Sequence, residues 1–138
     1  MLLLGDPIVD KLNLNNEISL HADFFKETRN NQDIIILRVQ GEYGVGSSGN
    51  INGRYLSSLV AAAFFRWKFE ILLFDFSNLN YEMSDSLNSV FTVLYRLNAE
   101  RIQQVIIVSE ENENTIQSLL SMIQYEKKVR LIRNIEEL

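Results

Sequence analysis

The chain has 138 residues, 46% of them hydrophobic, and one proline, so its length and composition fit a single globular domain with one core. Its formal net charge of −5 argues against a domain that binds nucleic acid or an anionic membrane through a basic face. The lack of cysteine excludes disulfides and thiolate sites, and a single histidine excludes a multi-histidine metal site. The chain has no secretory signal pattern and no apolar run that could span a bilayer, which predicts a cytoplasmic location.

The first third of the chain predicts an arm followed by a β-hairpin. Residues 1–16 have weak hydrophobic periodicity and are expected to form an arm ahead of a domain over residues 17–138. Within that domain, Ile18–Lys26 alternates between apolar and polar side chains, and Ile34–Val39 is a run of mostly β-branched residues. A polar turn separates the two runs, which favours an antiparallel hairpin.

A glycine-rich segment follows, and it offers a first alternative function. Gly41–Gly53 contains five of the six glycines and is expected to be a loop before a helix over Tyr55–Trp67. Its residues Gly44–Gly49 match the GxGxxG dinucleotide fingerprint between a strand and a helix. However, the strand does not run directly into the first glycine, and no acid ends the next strand at the usual spacing. A nucleotide or small-molecule site at Gly44–Gly49 therefore remains an alternative.

The segment from Glu70 to Leu97 is the most informative part of the sequence. Ile71–Phe74 is apolar at every position, as expected for a central strand covered by helices, and it ends at Asp75. A polar turn over Asn78–Ser86 then leads to an amphipathic helix, for which Ser84 or Asp85 is the expected N-cap. The helix has one apolar face, formed by Leu87, Val90, Phe91, Leu94 and Leu97.

The remaining pattern completes an α/β fold. Val105–Val108 is predicted to be a buried strand, Ser109–Asn114 to open a third helix, and Val129–Ile132 to be a last short strand. The predicted order is β-β-α-β-α-β-α-β, a single-domain mixed sheet with an antiparallel hairpin and then parallel strands joined by right-handed crossover helices. The pattern contains no catalytic constellation, metal site or cofactor site, so an enzyme is not expected.

This order resembles the STAS domain, the sulphate-transporter and anti-sigma-antagonist domain, over residues 17–135. IIILRVQGE at Ile34–Glu42 is similar to the second strand of the family. ILLFDFSNLNYEMSDSL, which begins at Ile71, is similar to its central strand, turn and helix start. The resemblance implies a bacterial regulatory domain that binds a protein partner, namely an anti-sigma factor with an ATPase-type kinase fold.

In that family a serine at the helix start is phosphorylated by the partner kinase, and the matching position here is Ser84. The chain departs from the family pattern around it. Met83 replaces the usual aspartate, Ser86 replaces a glycine, and the carboxylate of Asp85 would repel a phosphoserine. These departures predict a domain that has lost the phosphoswitch and kept the interaction surface.

The expected partner surface is the Asn78–Ser86 turn with the start of the following helix. Tyr43 and Asn50 of the glycine loop are expected to flank it. The candidate contact residues within the turn are Asn78, Asn80, Tyr81, Glu82, Asp85 and Ser86. A self-associating structural protein, which would form a homo-oligomer, is a further alternative.

Overall fold

The described part of the chain, residues 2–3 and 19–138 of a computed structural model, forms one mixed β-sheet with three α-helices. The strands are β1 (Leu2–Leu3), β2 (Leu20–Arg29), β3 (Gln32–Glu42), β4 (Ile71–Asn80), β5 (Gln103–Ile107) and β6 (Val129–Ile132). The helices are α1 (Asn50–Arg66), α2 (Leu87–Arg96) and α3 (Glu113–Met122). Short 3-10 turns lie at Gly46–Gly49 and Ile135–Glu137.

The strands lie in the sheet in chain order, from β1 to β6. Strands β2 and β3 form an antiparallel hairpin, closed by Asn30 and Asn31, whose positive φ angles of 51° and 63° suit a tight hairpin turn. Strands β3 to β6 are parallel and are joined by α1, α2 and α3. The predicted fold is confirmed, and Leu2–Leu3 adds a short antiparallel pairing at the edge beside β2. The predicted arm otherwise lies outside the described residues.

The main core lies between the sheet and the three helices. Each helix buries one apolar stripe there, as the 3.6-residue period of its sequence predicts. The rings of Phe74, Phe76 and Phe91 form a cluster at the centre, with Phe74 and Phe91 packed edge to face at a centroid distance of 5.4 Å. The buried residues of the helix stripes are Leu56, Leu59, Val60 and Ala63 in α1, Leu87, Val90, Phe91 and Leu94 in α2, and Ile116, Leu119 and Leu120 in α3.

The opposite face of the sheet has a smaller apolar cluster. Ile71 and Leu73 alternate with the helix-facing side chains of β4, so this strand is apolar on both faces as predicted. The sequence predicts helices over both faces, whereas the three helices described here pack on one. Phe25, Ile135 and Leu138 are the partly buried apolar residues that pack on the other cluster.

Strand β4 is longer than the sequence predicts, since it continues past Asp75 to Asn80. Asn78 and Asn80 are therefore strand residues and not turn residues. The extension pairs with β3 after a shift of register between Arg38 and Gln40. It is also held by the side chain of Asn112, which donates to the carbonyls of Phe76 and Leu79 at 2.9 and 2.8 Å. These bonds satisfy carbonyls that lie beyond the end of β5.

Two helix starts also differ from the prediction. Helix α1 begins at Asn50, five residues before the expected Tyr55, because the buried Asn52 accepts a hydrogen bond from the amide of Gly44 and packs inside the fold. Tertiary contact thus overrides the weak helix propensity of this segment. Helix α2 begins at Leu87 with Ser86 at its N-cap position, so the expected caps Ser84 and Asp85 lie outside it. Within the described residues, no helix has the length and apolarity to cross a membrane.

The aromatic cluster predicts a large difference between two Phe→Ala changes in helices. Phe91→Ala removes a fully buried ring and is expected to lower the free energy of unfolding by about 3–5 kcal/mol. Phe65→Ala removes a ring of α1 that is 75% exposed, and should change it by less than about 1 kcal/mol. Urea unfolding of the two variants measures both values. Equal losses would contradict this assignment of the core.

Candidate functional site

Two loops meet at the carboxyl ends of neighbouring parallel strands. Residues 43–49 follow β3 and residues 81–86 follow β4, so the two loops leave the same edge of the sheet side by side. The amide of Tyr43 donates to the carbonyl of Asn80 at 2.9 Å, and the amide of Gly46 donates to the carbonyl of Met83 at 2.7 Å. The loops therefore continue the pairing of the two strands.

Serine hydroxyl groups connect the same loops a second time. The Ser84 hydroxyl donates to the carbonyl of Gly46 at 2.9 Å, and the Ser86 hydroxyl donates to the carbonyl of Gly49 at 2.7 Å. Ser84 is only 1% exposed, so its hydroxyl lies inside the fold. The position that the resemblance marks as a phosphoacceptor is thus a buried bridge between the loops in this structure.

Two tyrosines complete the buried network. The rings of Tyr43 and Tyr81 pack edge to face, with centroids 5.3 Å apart. The Tyr81 hydroxyl donates to the carbonyl of Ser84 at 2.7 Å and accepts from the Ser84 amide at 3.2 Å. This ring therefore faces inward and closes the 81–84 turn.

The proton of Tyr43 has a defined partner. Its hydroxyl oxygen lies 2.7 Å from that of Ser86, whose own proton is directed to Gly49, so Tyr43 is the donor of this pair. Burial raises the pKa of Tyr43, although the hydrogen bond with Ser86 partly opposes the change. Burial likewise raises the pKa of Tyr81. Both phenols therefore keep their protons at neutral pH, which the network requires.

The glycines of this region make room for the network. A Cβ atom at Gly49 would lie 2.4 Å from both the Ser84 hydroxyl oxygen and the Gly44 carbonyl oxygen. A Cβ at Gly53 would lie 2.7 Å from Cβ of Ser86, so the start of α1 lies close against the start of α2 there. Gly46 differs, since it has free space around it but a φ of +59°. The GxGxxG pattern is thus explained by close packing and one left-handed residue.

The structure separates the predicted contact residues into two groups. Tyr43, Tyr81, Ser84 and Ser86 are brought together in the buried network. The exposed group contains Asn50 at the start of α1, Asn78 and Asn80 on β4, and Glu82 and Asp85 in the second loop. Asn80 also donates to the carboxylate of Glu42 at 2.8 Å.

Sequence reasoning did not single out two exposed apolar residues, although one of them, Met83, lies inside the predicted Asn78–Ser86 surface. Val45 is 55% exposed and Met83 is 45% exposed, and they lie on the two loops next to the Gly46–Met83 backbone hydrogen bond. The available signal in the sequence was a large apolar residue between two glycines or inside a polar turn. We call the exposed side chains of both loops and their flanks the two-loop surface, which consists of Val45, Ser47, Ser48, Asn50, Asn80, Glu82, Met83 and Asp85.

The two-loop surface is acidic. Neither residues 39–53 nor residues 77–95 contain a lysine or arginine, whereas Glu82 and Asp85 of the surface and the neighbouring Glu42 at the end of β3 are exposed. Its two apolar side chains are thus bordered by carboxylates and hydroxyl or amide groups.

Three backbone amides of the glycine loop already have hydrogen-bond partners within the fold. A phosphate-binding loop presents free backbone amides to the anion. Here the amide of Gly44 donates to the side-chain oxygen of Asn52. The amides of Gly46 and Ser48 donate to the carbonyls of Met83 and Val45. This reduces the case for a nucleotide site at Gly44–Gly49. In the described residues, no group of three or more histidine or acidic side chains is placed to hold a metal ion.

Comparisons with known proteins agree with this fold. No protein-family model and no curated protein sequence matches the chain. An anti-sigma factor antagonist from Mycobacterium paratuberculosis is similar in structure, with a TM-score of 0.56, 12% identity and coverage of 86% of this chain and 90% of that chain. The anti-sigma factor antagonist SpoIIAA in its unphosphorylated form has a TM-score of 0.57 and 14% identity, with coverage of 83% of this chain and 90% of that chain. Bacillus SpoIIAA in its phosphorylated form has a TM-score of 0.52 and 14% identity, with coverage of 83% of this chain and 94% of that chain.

The chain therefore has the fold of the anti-sigma factor antagonists, as the sequence resemblance predicts. Sequence identities of 12–14% establish this likeness for the fold alone.

The packing of Gly49 predicts a steric effect that a second glycine does not share. Gly49→Ala is expected to lower the free energy of unfolding by about 2–3 kcal/mol, because its Cβ collides with Ser84 and with backbone. Gly46→Asn should cost less than about 1 kcal/mol, since asparagine tolerates a left-handed φ and the space is free. Thermal and urea unfolding compare the two. A cost at Gly46 equal to that at Gly49 would contradict the packing argument.

The raised pKa values of Tyr43 and Tyr81 predict a loss of stability in alkali. The unfolded chain loses these protons near pH 10 while the folded chain retains them, so the free energy of unfolding should fall as pH rises above about 10. Tyr43→Phe should lower stability by about 1 kcal/mol at neutral pH and make that alkaline fall less steep. Urea unfolding of Tyr43→Phe and of the unchanged chain from pH 7 to 11 measures the two slopes, and an unchanged slope for Tyr43→Phe would refute the assignment.

Proposed function

We propose that this chain is a non-enzymatic regulatory domain that binds a protein partner through the two-loop surface. The observation that carries the proposal is the pair of exposed apolar side chains, Val45 and Met83, on two loops that hydrogen bonds fix together. The fold of the anti-sigma factor antagonists supports a role of this regulatory kind. The expected cytoplasmic location remains a prediction.

The rigidity of the two loops favours binding. A loop that is already ordered loses little conformational entropy when a partner docks. Here the bonds from Gly46 to Met83 and from Ser84 to Gly46, with the buried Tyr81, order both loops in the free chain. The exposed side chains above them are therefore presented in one arrangement, as a binding surface requires.

The charge of the surface specifies the partner. Glu82 and Asp85 lie on either side of Met83 and Ser84, and no basic residue of the two segments neutralises them. The complementary partner has a small apolar pocket for Met83 and Val45, with lysine or arginine at its rim. An anti-sigma-factor-like kinase is the partner that the resemblance implies.

In this proposal the interaction does not use a phosphoswitch at Ser84. The hydroxyl is buried and bonded to Gly46, so a kinase would have to separate the two loops to reach it. Asp85 already places an exposed negative charge next to this position. A phosphate there would meet that carboxylate at close range.

Site-specific photocrosslinking tests the proposal. Benzoylphenylalanine in place of Met83 is expected to crosslink to a separate polypeptide in cells of the native host. The same group in place of Met122, a methionine of α3 that is 62% exposed, should not give that product. The Glu82→Lys/Asp85→Lys double variant should reduce the product at least about tenfold, because it reverses the charge that steers the partner.

The matched control is Glu100→Lys/Glu126→Lys, which reverses two exposed charges at the opposite end of the parallel strands and should leave the yield unchanged. A product that joins two copies of this chain would favour the self-associating alternative. Equal products from positions 83 and 122 would overturn the proposal.

A further inference from the structure

We propose a second site, for a small organic anion, at the opposite end of the parallel strands. Two clefts of about 470 and 330 Å³ lie where β5 and β6 begin, beneath the facing ends of α2 and α3. They meet at Gln103, Gln104 and Lys128, which line both. This site is independent of the two-loop surface, which lies at the carboxyl ends of the strands.

Gln104 supplies the polar centre of the site. Its side chain lies on the helix side of the sheet and is 8% exposed, although it belongs to a β-strand otherwise made of buried aliphatic residues beyond its first position. Its amide nitrogen donates to the carbonyl of Phe91 at 2.9 Å, which fixes the orientation of the group because that carbonyl can only accept. Its Oε1 is then the one buried side-chain nitrogen or oxygen atom in the described residues without a hydrogen-bond partner. A ligand with a hydrogen-bond donor would satisfy this buried acceptor.

Cations outnumber carboxylates around the two clefts. Four basic side chains line them against two acidic ones, in a chain whose overall charge is −5. Among the described residues none of these four cations is paired with a carboxylate. The Arg130 guanidinium, however, donates to the carbonyl of Glu137 at 2.6 Å, which leaves Arg101, Lys127 and Lys128 as the cations available to a ligand. The basic residues are Arg101, Lys127, Lys128 and Arg130, and the acidic residues are Glu100 and Glu126. The local charge therefore favours an anion.

Lys128 is the side chain that can move to admit a ligand. Its ammonium lies 5.0 Å from the ring centroid of Tyr125 and 5.7 Å from that of Tyr95, and these weak cation–π contacts hold it between the clefts. An anionic group is a stronger partner for an ammonium than a ring face. Binding would therefore draw Lys128 from the rings to the anion, in the region where both clefts are lined by Gln104.

These features define the class of ligand. It has a carboxylate or phosphate group for Lys128 and its basic neighbours, and a hydroxyl or amino group that donates to Oε1 of Gln104. A hydroxy acid and a sugar phosphate both have this chemistry. Glucose lacks the anion and sulfate lacks the donor, so each fulfils only half of the requirement.

Titrations followed by the amide signals of the ¹⁵N-labelled chain test the inference. Malate and glucose 6-phosphate are the two organic anions, and glucose and sulfate are the controls. At least one organic anion should shift the side-chain amide signals of Gln104 saturably, with a Kd of about 1 mM or tighter. Glucose and sulfate should bind at least about tenfold more weakly. Failure of both organic anions to shift these signals would overturn the inference. So would sulfate binding as tightly as the organic anions.

Two variants locate the binding energy. Lys128→Gln should weaken binding of the active anion about tenfold, whereas Lys68→Gln, which removes an exposed charge elsewhere, should leave the Kd unchanged. Gln104→Met, which keeps the size of the side chain, should weaken binding by a similar factor. Full affinity in Lys128→Gln would refute the site even if Gln104→Met failed to fold.

Discussion

The hydroxyl groups of Ser84 and Ser86 connect the two strand-end loops, and the local structure depends on them. Each donates to a carbonyl of the glycine loop, which requires that loop to lie within hydrogen-bond distance of the turn after β4. Gly49 and Gly53 satisfy this requirement because they have no side chain to keep the segments apart. The loops are short and hydrogen-bonded to each other, so their exposed side chains are held in place.

Most of the fold could be predicted because its signals are local. The apolar period of each helix and the β-branched run of β3 lie within single elements, and the predicted bounds of β6 agree with the structure. The second half of β4 could not be predicted in this way. Its polar residues break the apolar pattern after Asp75, and the bonds that keep it extended come from β3 and from Asn112, both more than thirty residues away along the chain. No local propensity contains that information.

The candidate site was predictable in position but not in orientation. The polar turn after the central strand marks the segment that the structure places beside the glycine loop. Which of its side chains face outward depends on the partner loop, forty residues earlier. The aromatic Tyr81 and polar Ser84 point inward, where hydroxyl partners exist, whereas the apolar Met83 is exposed. The usual rule that apolar side chains are buried therefore predicts the opposite arrangement at these positions.

Strands β2 to β6 are neighbours in the sheet in the order in which they are synthesised. Each strand therefore pairs with the one translated just before it, and the closure of each crossover spans only one helix and its loops. The sheet can grow by one unit at a time as the chain leaves the ribosome, with no strand waiting for a partner encoded much later. The last strand to be added, β6, has only four residues, and the exposed Arg130 leaves a short charged edge that discourages pairing with another chain.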